Sequence, residues 1–95
     1  MLEFDFTTQF KKDYKKIIKQ GKDIKLLDEA MEMIYMQIPL PYEYKEHKLS
    51  PKSKGEWEIH IEGRKSDWVL TYQYYLSQNL VVFTRTGSHS ELFKK

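Results

Sequence analysis

Leu2, Phe4 and Phe6 alternate with Glu3 and Asp5 at the start of the chain. This period-two pattern predicts a short strand with one buried face. From Thr7 to Gln20 the period changes: Phe10, Tyr14, Ile17 and Ile18 recur at helical spacing, Thr7 or Thr8 is placed to cap the first amides, and Gly21 is suited to end the turn. A second helix is expected from Asp23, a good N-cap. It carries Ile24, Leu27, Met31, Ile34 and Ile38 inward until Pro39 and Pro41 stop it, so that the two helices form a hairpin.

Residues 39–55 hold all three prolines together with several lysines and Gly55, and read as an irregular surface segment. The C-terminal part returns to alternation. Trp57, Ile59 and Ile61 mark one strand, Trp68, Leu70, Tyr72 and Tyr74 a second, and Val81 and Phe83 a third, with turns at Gly63 and at Ser77 to Asn79. Tyr72 and Tyr74 share the strand phase of Trp68 and Leu70 and are expected in the core. The expected fold is α+β in the order β-α-α-β-β-β: a mainly antiparallel four-stranded sheet, an N-terminal helical hairpin over one face, and a short helical end at Ser90 to Phe93.

Length and composition narrow the class. Ninety-five residues suit one domain, 1–95, with one core. Hydrophobic residues at 40% and charged residues at 32% exclude a disordered chain, and no apolar run approaches membrane-spanning length. The chain has no cysteine, which removes disulfide frameworks and thiolate zinc sites and makes the cytoplasm the expected compartment. Its acidic and apolar start lacks the basic and apolar regions of a signal peptide. A net charge of +2 is too small to argue for nucleic acid, so the placement of charge decides more than its sum.

Chemistry-bearing residues cluster in polar settings. His47 lies in the proline-bounded segment, His60 shares a strand face with Glu58 and Glu62 away from Ile59, and His89 follows the last strand. Arg85 comes after the apolar stretch Leu80 to Phe83, at a junction able to present a guanidinium to a phosphate. Lys11, Lys12, Lys15, Lys16 and Lys19 form one face of the first helix, which reads either as a solvated surface or as an RNA phosphate contact. Lys45, Lys48, Lys52 and Lys54, with Arg64 and Lys65, add a second basic zone beside His47 and His60. Phosphate-binding glycine loops, paired zinc histidines and a nucleophile elbow are absent from the sequence.

Three segments carry a family resemblance: Tyr44-Lys45-Glu46-His47-Lys48-Leu49; His60-Ile61 with Asp67-Trp68-Val69-Leu70-Thr71-Tyr72; and Arg85-Thr86-Gly87-Ser88-His89-Ser90-Glu91-Leu92-Phe93. The pattern resembles the YafQ branch of the RelE toxins over nearly the whole chain, most specifically in the last segment. The resemblance implies a bacterial, cytoplasmic, ribosome-dependent ribonuclease that cuts mRNA and is blocked by a cognate antitoxin. It also places His47, His60, Asp67, Arg85, His89 and Phe93 at the family's functional positions. The chain departs from the pattern in having Trp57 where the family usually has an arginine, and in a longer stretch from His60 to Asp67.

Metal-free RNA cleavage needs a base for the 2′-hydroxyl, positive charge at the phosphorane-like transition state and an acid for the 5′-oxygen. The expected roles are His89 as acid, Arg85 as clamp, and Asp67 or His60 as base or as the group orienting it. His47 binds phosphate or shares proton transfer, and Phe93 stacks on a base. No cofactor or metal is expected. Two rivals remain: a zinc enzyme using His47, His60, His89 and Asp67 as ligands, and a non-catalytic module that binds RNA or protein through its basic faces.

Overall fold

The computed structural model describes residues 1–48, 55–61 and 67–92. Strand β1 (Glu3–Phe6) leads into α1 (Thr8–Lys19) and α2 (Ile24–Tyr35). A 3-10 turn at Tyr42–Tyr44 and the two-residue strand β2 (His47–Lys48) follow, then β3 (Glu56–His60), β4 (Trp68–Tyr75), β5 (Leu80–Ser88) and the short helix α3 (His89–Leu92).

Local chemistry sets the helix starts as expected. The Thr7 side chain accepts the Phe10 amide and the Asp23 side chain accepts that of Lys25. Gly21 takes φ +76°, a conformation that suits glycine at the end of α1. The second helix, however, stops at Tyr35 rather than reaching Ile38. Ile38 precedes Pro39, which disfavours helical geometry there, and the chain leaves the helix through Gln37 at φ +61°. Ile38 and Ile18, both expected to face inward, are exposed.

The sheet differs from the four-stranded expectation. It has five strands among the described residues, in the order β1-β5-β4-β3-β2, and it is mixed: β1 runs parallel to β5 and the other neighbours are antiparallel. The additional strand, β2, is two residues long, too short to show any alternation. It also lies inside the segment expected to be irregular. The two helices and one sheet face enclose Phe10, Ile17, Leu27, Ile34, Ile59, Leu70, Val81 and Phe83. Tyr72 belongs to this core, and its hydroxyl donates to Glu46 at 2.5 Å. Burial first, then Glu46, pushes the Tyr72 phenol well above its ordinary range. Tyr74 only packs against the core as a partly buried ring.

Two irregularities in β5 bear on function. Tyr72 pairs with Phe83 but Thr71 with Arg85, so Thr84 is an extra residue in a bulge. Strand β5 then continues past Arg85 to Ser88, which places that arginine inside the strand rather than beyond it. At Gly87, φ +151°, a Cβ would come within 2.8 Å of Leu92 Cδ1, so the absence of a side chain lets α3 fold back against the strand.

Candidate active site

Trp57 and Ile59 turn to the helix side of β3, which sends Glu56, Glu58 and His60 to the other face. There three imidazoles meet over one carboxylate. His47 stands opposite Glu58 in the β2–β3 ladder, His60 lies two residues along β3, and His89 opens α3. Their Nε2 atoms lie 3.4, 3.4 and 3.0 Å from Glu58 Oε2, respectively. The His60 ring centroid is 6.2 Å from that of His47 and 5.2 Å from that of His89.

The imidazoles explain why Glu58 is only 2% exposed on a face that alternation assigns to solvent. Its Oε1 has no hydrogen-bond partner among the described residues. Withdrawing a carboxyl group from water without full satisfaction is unfavourable, so the cluster keeps a costly polar group where a purely structural design would bury an apolar side chain.

Each histidine has its own restraint. His47 Nδ1 donates to the Lys45 carbonyl at 2.7 Å. The His89 amide donates to the Asp67 carbonyl at 3.1 Å, and Asp67 Oδ1 lies 3.3 Å from that amide and 3.5 Å from His89 Nδ1. Asp67 is thus tied to His89, at the opposite ring nitrogen from Glu58.

Arg85 is not part of the imidazole cluster. Its Nε and Nη2 donate to Asp13 at 2.7 and 3.3 Å, and the Thr86 amide and Gln9 side chain complete the carboxylate's partners at 3.2 and 3.1 Å. The reason lies in the topology. Among the described residues, strand β1 pairs only with Leu80–Phe83, and α1, which follows β1 at once, packs along the remaining edge of β5. Asp13 therefore caps an edge amide and grips the neighbouring guanidinium. Arg85, Thr71 and Glu58 share one row of the sheet, so Arg85 stands two strand spacings, roughly 10 Å, from Glu58.

The five α1 lysines are all exposed. Lys16 reaches Glu91 Oε2 at 2.5 Å, and with the Ser88 amide it holds the Glu91 carboxyl down at about 2. Lys48 lies 5.8 Å over the Trp57 ring and Lys45 lies 4.8 Å over Tyr42. Trp57 itself meets Tyr74 edge-on at the rim of the core, on the sheet face away from the histidines. Phe93, Lys52, Lys54, Arg64 and Lys65 lie outside the described residues.

Two acidic residues escaped the sequence reading. In the sequence Glu58 looks like one more acid on the polar strand face of His60; the histidine two residues away on that face is the signal that sets it apart. Asp13 sits among lysines, but its phase between Phe10 and Ile17 marks it as inward, and it is 7% exposed.

Residues 2–94 match the family described as bacterial toxin of type II toxin-antitoxin system, YafQ, and the chain belongs to that family. It is 36% identical over 92 residues to the mRNA interferase toxin YafQ of Escherichia coli K12, covering 96% of this chain and 95% of the relative. Among solved structures, a metal-bound toxin from Helicobacter pylori superposes with TM-score 0.89 at 36% identity, over 98% of this chain and 100% of the other. The E. coli DinJ-YafQ toxin-antitoxin complex gives 0.85 at 34% identity, over 97% of both chains.

Proposed function

We propose that this protein is an endoribonuclease toxin that cleaves messenger RNA on the ribosome and is neutralised by a cognate antitoxin in the bacterial cytoplasm. The convergence of three imidazoles from separate segments on Glu58 carries this reading. Its relatives add to it: the E. coli homologue is an mRNA interferase, and it forms a complex with the antitoxin DinJ.

In this mechanism His60 removes the 2′-hydroxyl proton. The 2′-oxygen attacks the adjacent phosphate, a 2′,3′-cyclic phosphate forms, and His89 protonates the departing 5′-oxygen. Asp67 orients His89 from Nδ1, Glu58 gathers the rings, and His47 binds phosphate. Arg85, held by Asp13 through two of its nitrogens, offers Nη1 to the transition-state charge. Phe93 stacks on a substrate base, while Lys11, Lys12, Lys15, Lys16, Lys19, Lys45 and Lys48 follow the RNA backbone. Reporter mRNA incubated with translating ribosomes and purified toxin tests the reading: cleavage to cyclic-phosphate ends, suppressed by the co-expressed antitoxin, is expected. Intact mRNA would overturn it.

A second reading places a metal ion in the cluster. One ligand atom each from Glu58, His60 and His89 lies within 4.8 Å of the others, and the H. pylori relative is metal-bound. The Nε2–Oε2 separations of 3.0 to 3.4 Å also suit neighbouring ligands around an ion with arms of about 2.0–2.1 Å. A metal there would occupy the nitrogens that the acid–base mechanism uses. Added zinc should then inhibit cleavage and a chelator restore it; dependence of cleavage on stoichiometric bound zinc would favour metal catalysis.

A further inference from the structure

Tyr42 opens the Tyr42–Tyr44 turn with its side chain turned outward, at 74% exposure. An exposed ring beside a site calls for a reason where a scattered surface residue does not. The ring is well placed. Pro41 restricts the backbone before it, and Lys45, at φ +54°, closes the turn with its amide on the Tyr42 carbonyl at 3.0 Å. Lys45 Nζ lies 3.3 Å from the Tyr42 hydroxyl and 4.8 Å from the ring centroid. The Lys45 carbonyl in turn anchors His47.

Tyr42, Lys45 and His47 therefore belong to one connected turn. They line a single open cavity of about 700 Å³ that extends to His60. That volume lies within the range of small-molecule sites. Glu46, the acid on its wall, is engaged by the Tyr72 hydroxyl at 2.5 Å. An aromatic face, an ammonium and two imidazoles are the groups that receive a single-stranded nucleotide, whose base stacks and whose phosphate needs a cation.

We propose that this cavity is a nucleotide subsite, in which Tyr42 stacks on an RNA base beside the scissile phosphate and Lys45 contacts that nucleotide's phosphate. The subsite rests on the nuclease reading and adds a binding locus to it. Lys45 covers one face of the ring in the free protein. A cation–π contact at an exposed position is weak, so the lysine can exchange the ring for a phosphate. Because every base offers a π-face, the subsite contributes register and affinity rather than base selection.

The test is steady-state cleavage of reporter mRNA on translating ribosomes with Tyr42→Ala, Tyr42→Phe and Lys45→Ala, each confirmed as folded by circular dichroism. Tyr42→Ala should raise KM about tenfold or more, with a smaller change in kcat, and Tyr42→Phe should recover most of the loss. Lys45→Ala should lower the salt slope of binding by about one contact. A second measurement avoids the ribosome: a trinucleotide carrying 2-aminopurine and a 2′-deoxy block should lose fluorescence on binding the wild type and Tyr42→Phe, and much less on binding Tyr42→Ala. Wild-type KM and undiminished quenching in Tyr42→Ala would overturn the subsite. If the wild type cleaves nothing yet quenches the probe through Tyr42, the nuclease reading fails and the subsite stands as an RNA-binding site.

Discussion

Glu58 and Asp13 are both carboxylates withdrawn from water, and they lie toward opposite sides of the same sheet row. Asp13 has both oxygens engaged: Gln9 and Arg85 at one, Arg85 and the Thr86 amide at the other. Glu58 receives three imidazoles on Oε2 and no partner among the described residues on Oε1. One acid is a finished joint between a helix and a strand edge. The other gathers its contacts on one oxygen and leaves the second, buried oxygen without a partner among the described residues. Burial alone therefore does not distinguish the two acids; the tally of partners does.

The strongest way to break this contrast is to remove from each centre the group proposed to act on substrate. His89→Ala and Arg85→Ala should each lower cleavage of reporter mRNA by about a hundredfold or more; His89→Ala should leave the fold and antitoxin binding intact, whereas Arg85→Ala should also cost stability because it strips the buried Asp13 of its guanidinium. Arg85→Lys should also be impaired, because a single ammonium nitrogen cannot keep the planar forked contact with Asp13 and at the same time place a second nitrogen toward a phosphate. Full activity in His89→Ala would dissolve the proposed role of the imidazole cluster.

Replacing the acids themselves sharpens the comparison. Asp13→Asn should destabilise the fold by about 2 kcal/mol, because it leaves a half-exposed guanidinium and an edge amide short of their partner. Glu58→Gln should change stability by less than about 1 kcal/mol, since the wild-type acid is already incompletely satisfied, but should reduce cleavage. Urea midpoints and cleavage rates measured on the same preparations check the pair, and equal stability losses would erase the distinction.

Smaller effects are expected on the helix that carries Asp13. Lys11→Glu, Lys15→Glu and Lys19→Glu combined should weaken ribosome association and flatten its salt dependence; an unchanged salt series would assign that face to solvent. The smallest effect concerns Glu91. Its carboxyl titrates near 2 in the fold against an ordinary 4.5, so its contribution to stability is fully present above about pH 4.5 and is lost as pH falls toward 2. Lys16→Ala should return the Glu91 titration toward its ordinary value, as read by NMR. The accompanying change in stability should be at most about 0.5 kcal/mol, because the pair is exposed.

The two acids also show where sequence reasoning stops. Thr7, Asp23 and Gly21 act through neighbours three or fewer residues away, so the helix boundaries they set were legible. The alternation of Ile59 with His60 and of Leu70 with Thr71 assigned sheet faces correctly for the same reason. Glu58 is buried by residues 11 positions before it and 31 after it, and Asp13 meets Arg85 across 72 positions; no local period encodes such meetings. The parallel pairing of β1 with β5 and the two-residue β2 were illegible on the same grounds. The histidines that form the cluster could be named from the family pattern, but the carboxylate that unites them emerged only with the third dimension.

The pairing of β1 with β5 has a consequence in time. Glu3 finds its ladder partner at Leu80, so β1 must wait for a strand that is synthesised long after it. Contacts this distant in the chain close slowly and late. His89, which completes the imidazole group, lies further along still. The nascent polypeptide thus cannot gather the three imidazoles over Glu58 until the segment bearing His89 has left the ribosome, well after α1 and α2 have been made.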